Sequence, residues 1–237
     1  MEKIDLDAVA REPNQGHTSK GDQPKWQWQG KWYKADYMGY EALSEVLISR
    51  LLKQSNVSGF VEYGPVWIRY RGKELSGCVS DNFRDKDEML VPLERLYRAY
   101  NGRGLAETLG KMREPKERIR YTTEFLERTT RLKRAGEYLT LLLELDAFFL
   151  NEDRHTNNLA VIRNEKTMEF RFCPVFDNGL ALLSDLNDYS LDQDIYDCIG
   201  HVHAKPFSGN FDEQVDAAEE LYGMQLHFSF SQKDVSR

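Results

Sequence analysis

Hydrophobic and polar positions follow two different periods along this chain, and the period changes near residue 84. KWQWQGKWYKAD (25–36) sets Trp26, Trp28 and Trp32 among polar neighbours around Gly30, which predicts a β-hairpin. GYEALSEVLISRLLKQSN (39–56) has the spacing of an amphipathic helix and closes on polar Ser55-Asn56. EYGPVWIRYRGKELSGCVSDNF (62–83) alternates again and predicts two strands joined at Arg71-Gly72. Residues 1–24 are polar and punctuated by Pro13, Gly16, Gly21 and Pro24, so they read as a mobile N-terminal segment.

Beyond residue 84 helical spacing dominates, at 90–100, 103–112 and 115–150, the last as two helices, with more helix near 211–223. Leu139, Leu142, Leu143 and Phe149 read as core. Two β-like runs interrupt the helices, LAVI (159–162) and MEFRFCPVF (168–176), with a turn at Asn164-Glu165-Lys166. No internal repeat or low-complexity tract occurs. The expected fold class is α+β: a small β-rich N-lobe with one helix (1–84) and a larger, mainly helical C-lobe carrying a β-hairpin (85–237).

Composition narrows the setting. Apolar residues make up 41% of 237, which predicts a folded chain with a sizeable core. The first thirty residues are polar and show no signal peptide. The longest apolar segment, YLTLLLELDAFFL (138–150), is broken by Glu144 and Asp146 and is shorter than the roughly 20 residues a membrane span takes. Cys78, Cys173 and Cys198 are scattered and odd in number, which fits a reducing compartment. The expected location is therefore cytoplasmic. A net charge of −7 argues against nucleic acid as a direct ligand. Residues 111–134 nevertheless carry nine Lys/Arg against four Glu, read as a solvated helix face or, more sharply, as a docking surface for an acidic partner.

The chemistry concentrates in LNEDRHTNNLAVI (150–162), where apolar flanks enclose Asp153, Arg154, His155, Asn157 and Asn158. Pairing the two β-like runs brings Asp153 and Asn158, before the first, close to Asp177, after the second. Two carboxylates and an amide oxygen are hard ligands suited to Mg²⁺. Lys34 is placed to reach a phosphate. Glu45 shares a helical face with Glu41, Ile48 and Leu52, an inward position that calls for a cationic partner. Asp153-x-x-x-x-Asn158, a second Asp some two dozen residues on, and a strand Lys with a helix Glu together match the phosphoryl-transfer template, with Asp177-Asn178-Gly179 where protein kinases carry Asp-Phe-Gly.

NEDRHTNN (151–158), PVFDNG (174–179) and GDQPK (21–25) occur in this order, and together they resemble the motifs of the HipA-like serine/threonine kinases, over residues 16–185. The resemblance implies a two-lobed protein-kinase-like fold and the use of ATP and Mg²⁺. It implies that Asp153 orients or deprotonates the acceptor hydroxyl, that Asn158 and Asp177 bind Mg²⁺, and that Lys34, braced by Glu45, contacts the α/β phosphates. Gly21, Gln23 and Lys25 would cover the phosphates, Cys78, Val79 and Ser80 would meet the adenine through backbone groups, and His155 would line the site. Thr18 or Ser19 is the candidate autophosphorylation site. The acceptor would be a protein. Against the toxin-type members the sequence reads as a short form, expected to be without their extra N-terminal subdomain, and no residue marks an antitoxin-like partner.

Simpler readings remain for several of these residues. Asp153 and Asn158 suit a capped turn. Glu45 suits a solvated helix position, with Glu41 as the alternative partner of Lys34, and Lys31 or Lys25 can stand in for Lys34. Cys198-x-x-His201-x-His203 invites a zinc reading but has no evident fourth ligand. The alternatives to a protein kinase are a kinase acting on a lipid or small molecule, and a non-catalytic nucleotide-binding module.

Overall fold

The alternating segments at the start of the chain form one mixed sheet. The structure, a computed structural model, describes residues 2–11 and 23–231. Strands β1 (Glu2–Asp5), β2 (Lys25–Trp28), β3 (Lys31–Ala35), β4 (Gly64–Tyr70) and β5 (Lys73–Asp81) stand in the order β1-β4-β5-β3-β2. The turns Gln29-Gly30 and Arg71-Gly72 have positive φ at both residues, which suits the right-handed twist of two-residue hairpins. Along β3 the pleat sends Tyr33 and Ala35 into a core with Trp26, Val66 and Ile68. It turns Lys34 to the opposite face, where Cys78 lies beside it in register. Helix α1 (Glu41–Leu52) covers that face through Ala42 and Val46, which pack with Val61, Tyr63 and Cys78.

Two expectations change here. Residues 2–5 are not a mobile segment: they add a parallel strand to β4 in the register Glu2↔Val66 to Asp5↔Arg69, and the next residue, Leu6, is fully buried. The stretch at 90–100 is not one helix either. Strand β6 (Glu88–Pro92) precedes α2 (Leu93–Asn101), because Pro92 holds Val91 extended and α begins only after it. Strand β6 pairs with β7 (Ala160–Asn164), which pairs with β8 (Phe170–Phe172), so the predicted hairpin is part of a three-stranded antiparallel sheet.

Helices α3 (Leu105–Leu109), α4 (Pro115–Thr130), α5 (Ala135–Phe149), α6 (Ile195–His201) and α7 (Phe211–Tyr222) complete the described elements. Helix α5 is the centre of the larger core: Leu139, Leu142, Leu143 and Phe149 are buried with Tyr97, Phe125, Val161 and Phe207. The basic run lies on α4 and its flanks, mostly exposed; Arg118 instead donates to the carbonyls of Met112 and Phe207. Helix α6, unmarked by apolar spacing, starts at Asp194, whose carboxylate accepts from the Tyr196 and Asp197 amides. No helix among the described residues is long and apolar enough to cross a membrane. Mixed sheets and helices in this arrangement fit the expected α+β class.

Candidate active site

The site forms where β3, α1 and two loops of the helical part meet. Lys34 is buried, and its ammonium bonds the Glu45 carboxylate and, at 2.8 Å, Asp177 Oδ1. Its Nζ also lies 5.1 Å from the centre of the Tyr63 ring. Burial works against the charge of Lys34, but Asp177 and Glu45 outweigh it and raise the pKa well above the usual lysine value. Glu41, one turn earlier, does something else: its carboxylate accepts from the amides of Met38 (2.8 Å), Gly39 (3.1 Å) and Tyr37 (3.3 Å) at the start of α1, where the helix dipole favours an anion. Lys31 pairs with Asp81 on the surface.

Asp177 arrives on the chain leaving β8. The backbone of Val175 is fixed first, its amide donating to Gly59 O and its carbonyl accepting from Val61 N. Asp177 then adopts φ +59°, a left-handed conformation uncommon without glycine. Lys25 Nζ stands 3.6 Å from Asp177 Oδ1. Burial opposes the Asp177 charge, yet Lys25 and Lys34 together hold its carboxyl far below the usual carboxylate range. The following amide, Asn178 N, donates to Glu45 Oε2 at 3.0 Å, so Glu45 joins the strand lysine to the segment that carries Asp177.

The loop after α5 brings Asp153. Leu150 turns left-handed at φ +54°, and Asn151 folds back to α5, donating through its backbone and side-chain nitrogens to Asp146 at 2.8 Å. Asn158 Nδ2 donates to Asp153 O (2.7 Å) and Asp153 Oδ2 (3.0 Å). Asp153 Oδ1 is buried with no hydrogen-bond partner among the described residues. Burial pushes the Asp153 carboxyl up and the charge of Asp177 adds to this, while His155 and Lys205 pull the other way. His155 Nε2 is 3.9 Å from Asp153 Oδ1, and neither ring nitrogen has a hydrogen-bond partner among the described residues.

Several predicted positions fall elsewhere. Gly21, Thr18 and Ser19 lie outside the described residues. Gln23 is half-buried, with Nε2 unpartnered among the described residues. Cys78 and Val79 lie inside β5, paired on one side with Lys34 and Tyr33 and on the other with Pro65 and Gly64, and Ser80 pairs with Trp32. Two flanking ladders engage the backbone of Cys78 and Val79, and the segment 82–87 leads from the end of β5 to β6. Cys198, His201 and His203 line a cavity of about 550 Å³ with Glu152, Tyr189, Asp188, Asp194 and Asp197. No three or more His, Cys, Asp or Glu side chains converge as on a metal ion among the described residues. The donors expected for Mg²⁺ are Asp177 and Asn158. The Asn158 amide nitrogen is taken by Asp153, which leaves its oxygen as the ligating atom, and hard oxygens from carboxylate and amide fit a cation that keeps part of its shell for water and phosphate.

Arg154 is the residue that sequence reasoning left without a role. It is 1% exposed and pairs with Asp146 through Nε and Nη2 at 2.9–3.1 Å. Burial disfavours its charge, and Asp146 raises its pKa nonetheless. Its sequence signal was Asp146 itself, a carboxylate inside the apolar run of α5. Glu152, buried beside Asp153, accepts from Tyr189 Oη (2.6 Å) and His203 N (3.0 Å).

The segment 184–186 runs beside the start of α1. Tyr40 N donates to Ser184 O and Leu186 N to Met38 O, both at 3.2 Å, and Gly39 faces Asp185 in an antiparallel bridge. A Cβ on Gly39 would lie 1.9 Å from Ser184 O.

No protein-family model matches the sequence, and no curated protein matches it. Among solved structures, the chain is similar to the Helicobacter pylori proinflammatory kinase CtkA, with a TM-score of 0.54 and 18% sequence identity over 78% of this chain and 62% of that one. The chain thus spans under two thirds of that kinase's length, and at this identity the likeness shows a kinase-like fold.

Proposed function

We propose that this chain is a two-lobed, ATP- and Mg²⁺-dependent protein serine/threonine kinase of HipA-like type. The observation that carries the reading is the junction of Lys34, Glu45 and Asp177 within a kinase-like fold, with Asp153 and Asn158 hydrogen-bonded beside it. A strand lysine held by a helix carboxylate, next to the carboxylate of a metal-binding segment, is the arrangement phosphoryl transfer uses for positioning and charge neutralisation.

Each residue takes a role from its surroundings. Lys34 stays protonated at every physiological pH and offers a fixed positive charge to phosphate oxygens. Lys25, now resting against Asp177, adds a second. Asp177 and Asn158 hold Mg²⁺, which when bound neutralises charge on the transferred phosphoryl group. Asp153 keeps one oxygen unpaired for the proton of an acceptor hydroxyl, and its raised pKa makes it the better base. Cys78, Val79 and Ser80, toward the end of β5, meet the adenine together with the segment that follows them. Thr18 or Ser19 receives phosphate in the self-reaction, where nearly two negative charges would oppose ATP phosphates. The carboxylates lining the cavity beside Glu152 disfavour an anionic lipid headgroup, so a protein acceptor is preferred to a phosphoinositide.

The test is transfer of radiolabelled phosphate from ATP, with and without Mg²⁺, to the chain itself and to a generic basic protein, together with its intact mass. Mg²⁺-dependent incorporation on serine or threonine is expected. Nucleotide binding without transfer would make the chain a non-catalytic module, and transfer to lipid alone would move it to the lipid kinases.

A further inference from the structure

Asp177 holds a left-handed backbone conformation (φ +59°) that an L side chain keeps only when its surroundings over-determine it. The residues on both sides of it are held by one side chain. Arg154 Nη1 donates to Phe176 O at 3.3 Å, and Arg154 Nη2 to Asn178 Oδ1 at 2.9 Å. The same guanidinium reaches Asn158 O at 3.4 Å, and its other face grips Asp146 on α5. Filling the core needs none of this, since an apolar pair of similar volume serves a buried position at least as well as an ion pair. What the pair adds is direction: a planar fork of donors that fixes several acceptors at once.

We propose that Arg154 is a positioning residue: anchored on Asp146, it sets the backbone of both candidate metal ligands, Asp177 through Phe176 and Asn178, and Asn158 through its carbonyl. That Asp177 and Asn158 serve a metal rests on the kinase reading; the positioning itself does not. It also accounts for Asn178 at the place where protein kinases carry phenylalanine: the amide oxygen is the acceptor that Arg154 requires.

Asn178→Ala removes that acceptor and leaves the Arg154–Asp146 pair intact, so the chain should fold. Asn178→Asp keeps an oxygen in the same place. Two measurements decide: hydrogen exchange of the 176–179 backbone amides in the nucleotide-free chain, and the Mg²⁺ concentration that half-saturates binding of a fluorescent ATP analogue. For Asn178→Ala, exchange should quicken and the Mg²⁺ requirement should rise, each about tenfold, as when a partner that orients a metal ligand is lost. Turnover should fall while the KM for the acceptor stays unchanged. Asn178→Asp should restore exchange and Mg²⁺ requirement to near wild type. Arg154→Lys, if folded, should behave as Asn178→Ala; if it does not fold, the alanine variant decides alone. Wild-type exchange in Asn178→Ala, or failure of Asn178→Asp to restore it, overturns the proposal. If the wild type transfers no phosphate, the kinase reading falls, and the exchange result still decides the positioning.

Discussion

The loop at 151–158 and the segment at 174–179 each deliver one carboxylate to the site, and their surroundings treat the two in opposite ways. Asp177 touches two ammonium groups and is held far below the ordinary carboxylate range. Asp153 is buried with one oxygen unpartnered, and burial together with the Asp177 charge raises its pKa. Pairs of acids pushed apart in this way take different jobs. The acid that stays ionised suits a cation and phosphates. The acid whose charge is poorly compensated suits a proton.

The most forceful way to break the comparison is to neutralise each acid in turn. Asp153→Asn should lower phosphate transfer about 10³-fold, within the range of general-base loss, and leave nucleotide affinity within about threefold, measured by steady-state kinetics and titration. Asp177→Asn should weaken Mg²⁺-dependent nucleotide binding roughly 100-fold, a few kcal/mol of lost metal interaction. Equal and mild effects from the two would erase the distinction.

Stability gives a subtler contrast, with opposite signs. The lowered pKa of Asp177 means that its stabilising contribution is complete above the unfolded carboxylate pKa, about 4, and fades as pH falls through the lower folded value. Asp177→Asn should therefore melt below wild type at pH 7, and the gap should narrow in acid. The raised pKa of Asp153 works the other way: its protonated form favours the fold, and that advantage is lost as pH rises through the folded value. Asp153→Asn should melt about 2–4 °C above wild type at pH 7 and level with it in acid, a trade of stability against activity.

The smallest effect tests the same physics away from the site. Glu144 on α5 accepts the amides of Gln225 and Leu226, and burial, with Glu219 beside it, pushes its pKa up to about 7. Stability held while Glu144 is protonated is lost as pH rises toward 7. Glu219→Gln should relieve this, raising the melting temperature by about 1–2 °C at pH 8 and leaving it unchanged at pH 5.

Much of this arrangement was legible in the sequence, for local reasons. Alternation over 25–36 and 62–83 marked strands β2 to β5, and the inward place of Glu45 called for the cation that Lys34 supplies. The spacing around a hairpin marked Asp153 and Asn158, which hydrogen-bond, and Asp177, whose charge acts on Asp153; a turn at Asn164 sets the register of β7 and β8. What escaped was non-local. Strand β1 depends on a parallel partner more than sixty residues away, and four residues of polar sequence carry no sign of it. Strand β6 was absorbed into α2 because a short apolar run has no period of its own; Pro92 was the clue. Arg154 looked like one more polar residue in a crowded loop, since its partner Asp146 sits inside a helix that hydrophobic spacing assigns wholly to the core. The central place of β5 escaped too, because a sequence does not show which strand has its backbone engaged on both sides.

Gly39 has the last consequence. The backbone of 38–40 is laced to 184–186, and at Gly39 there is no room for even one methyl group. Helix α1 is thus stitched down at its root, and swinging it outward to part Glu45 from Lys34 would first mean unpicking main-chain bonds that no side-chain switch controls. A single alanine here would act as a wedge, prising the helix from the strap that follows Asp177 and loosening the lysine's brace from a distance. In a molecule pinned this way, Glu45 lies against Lys34.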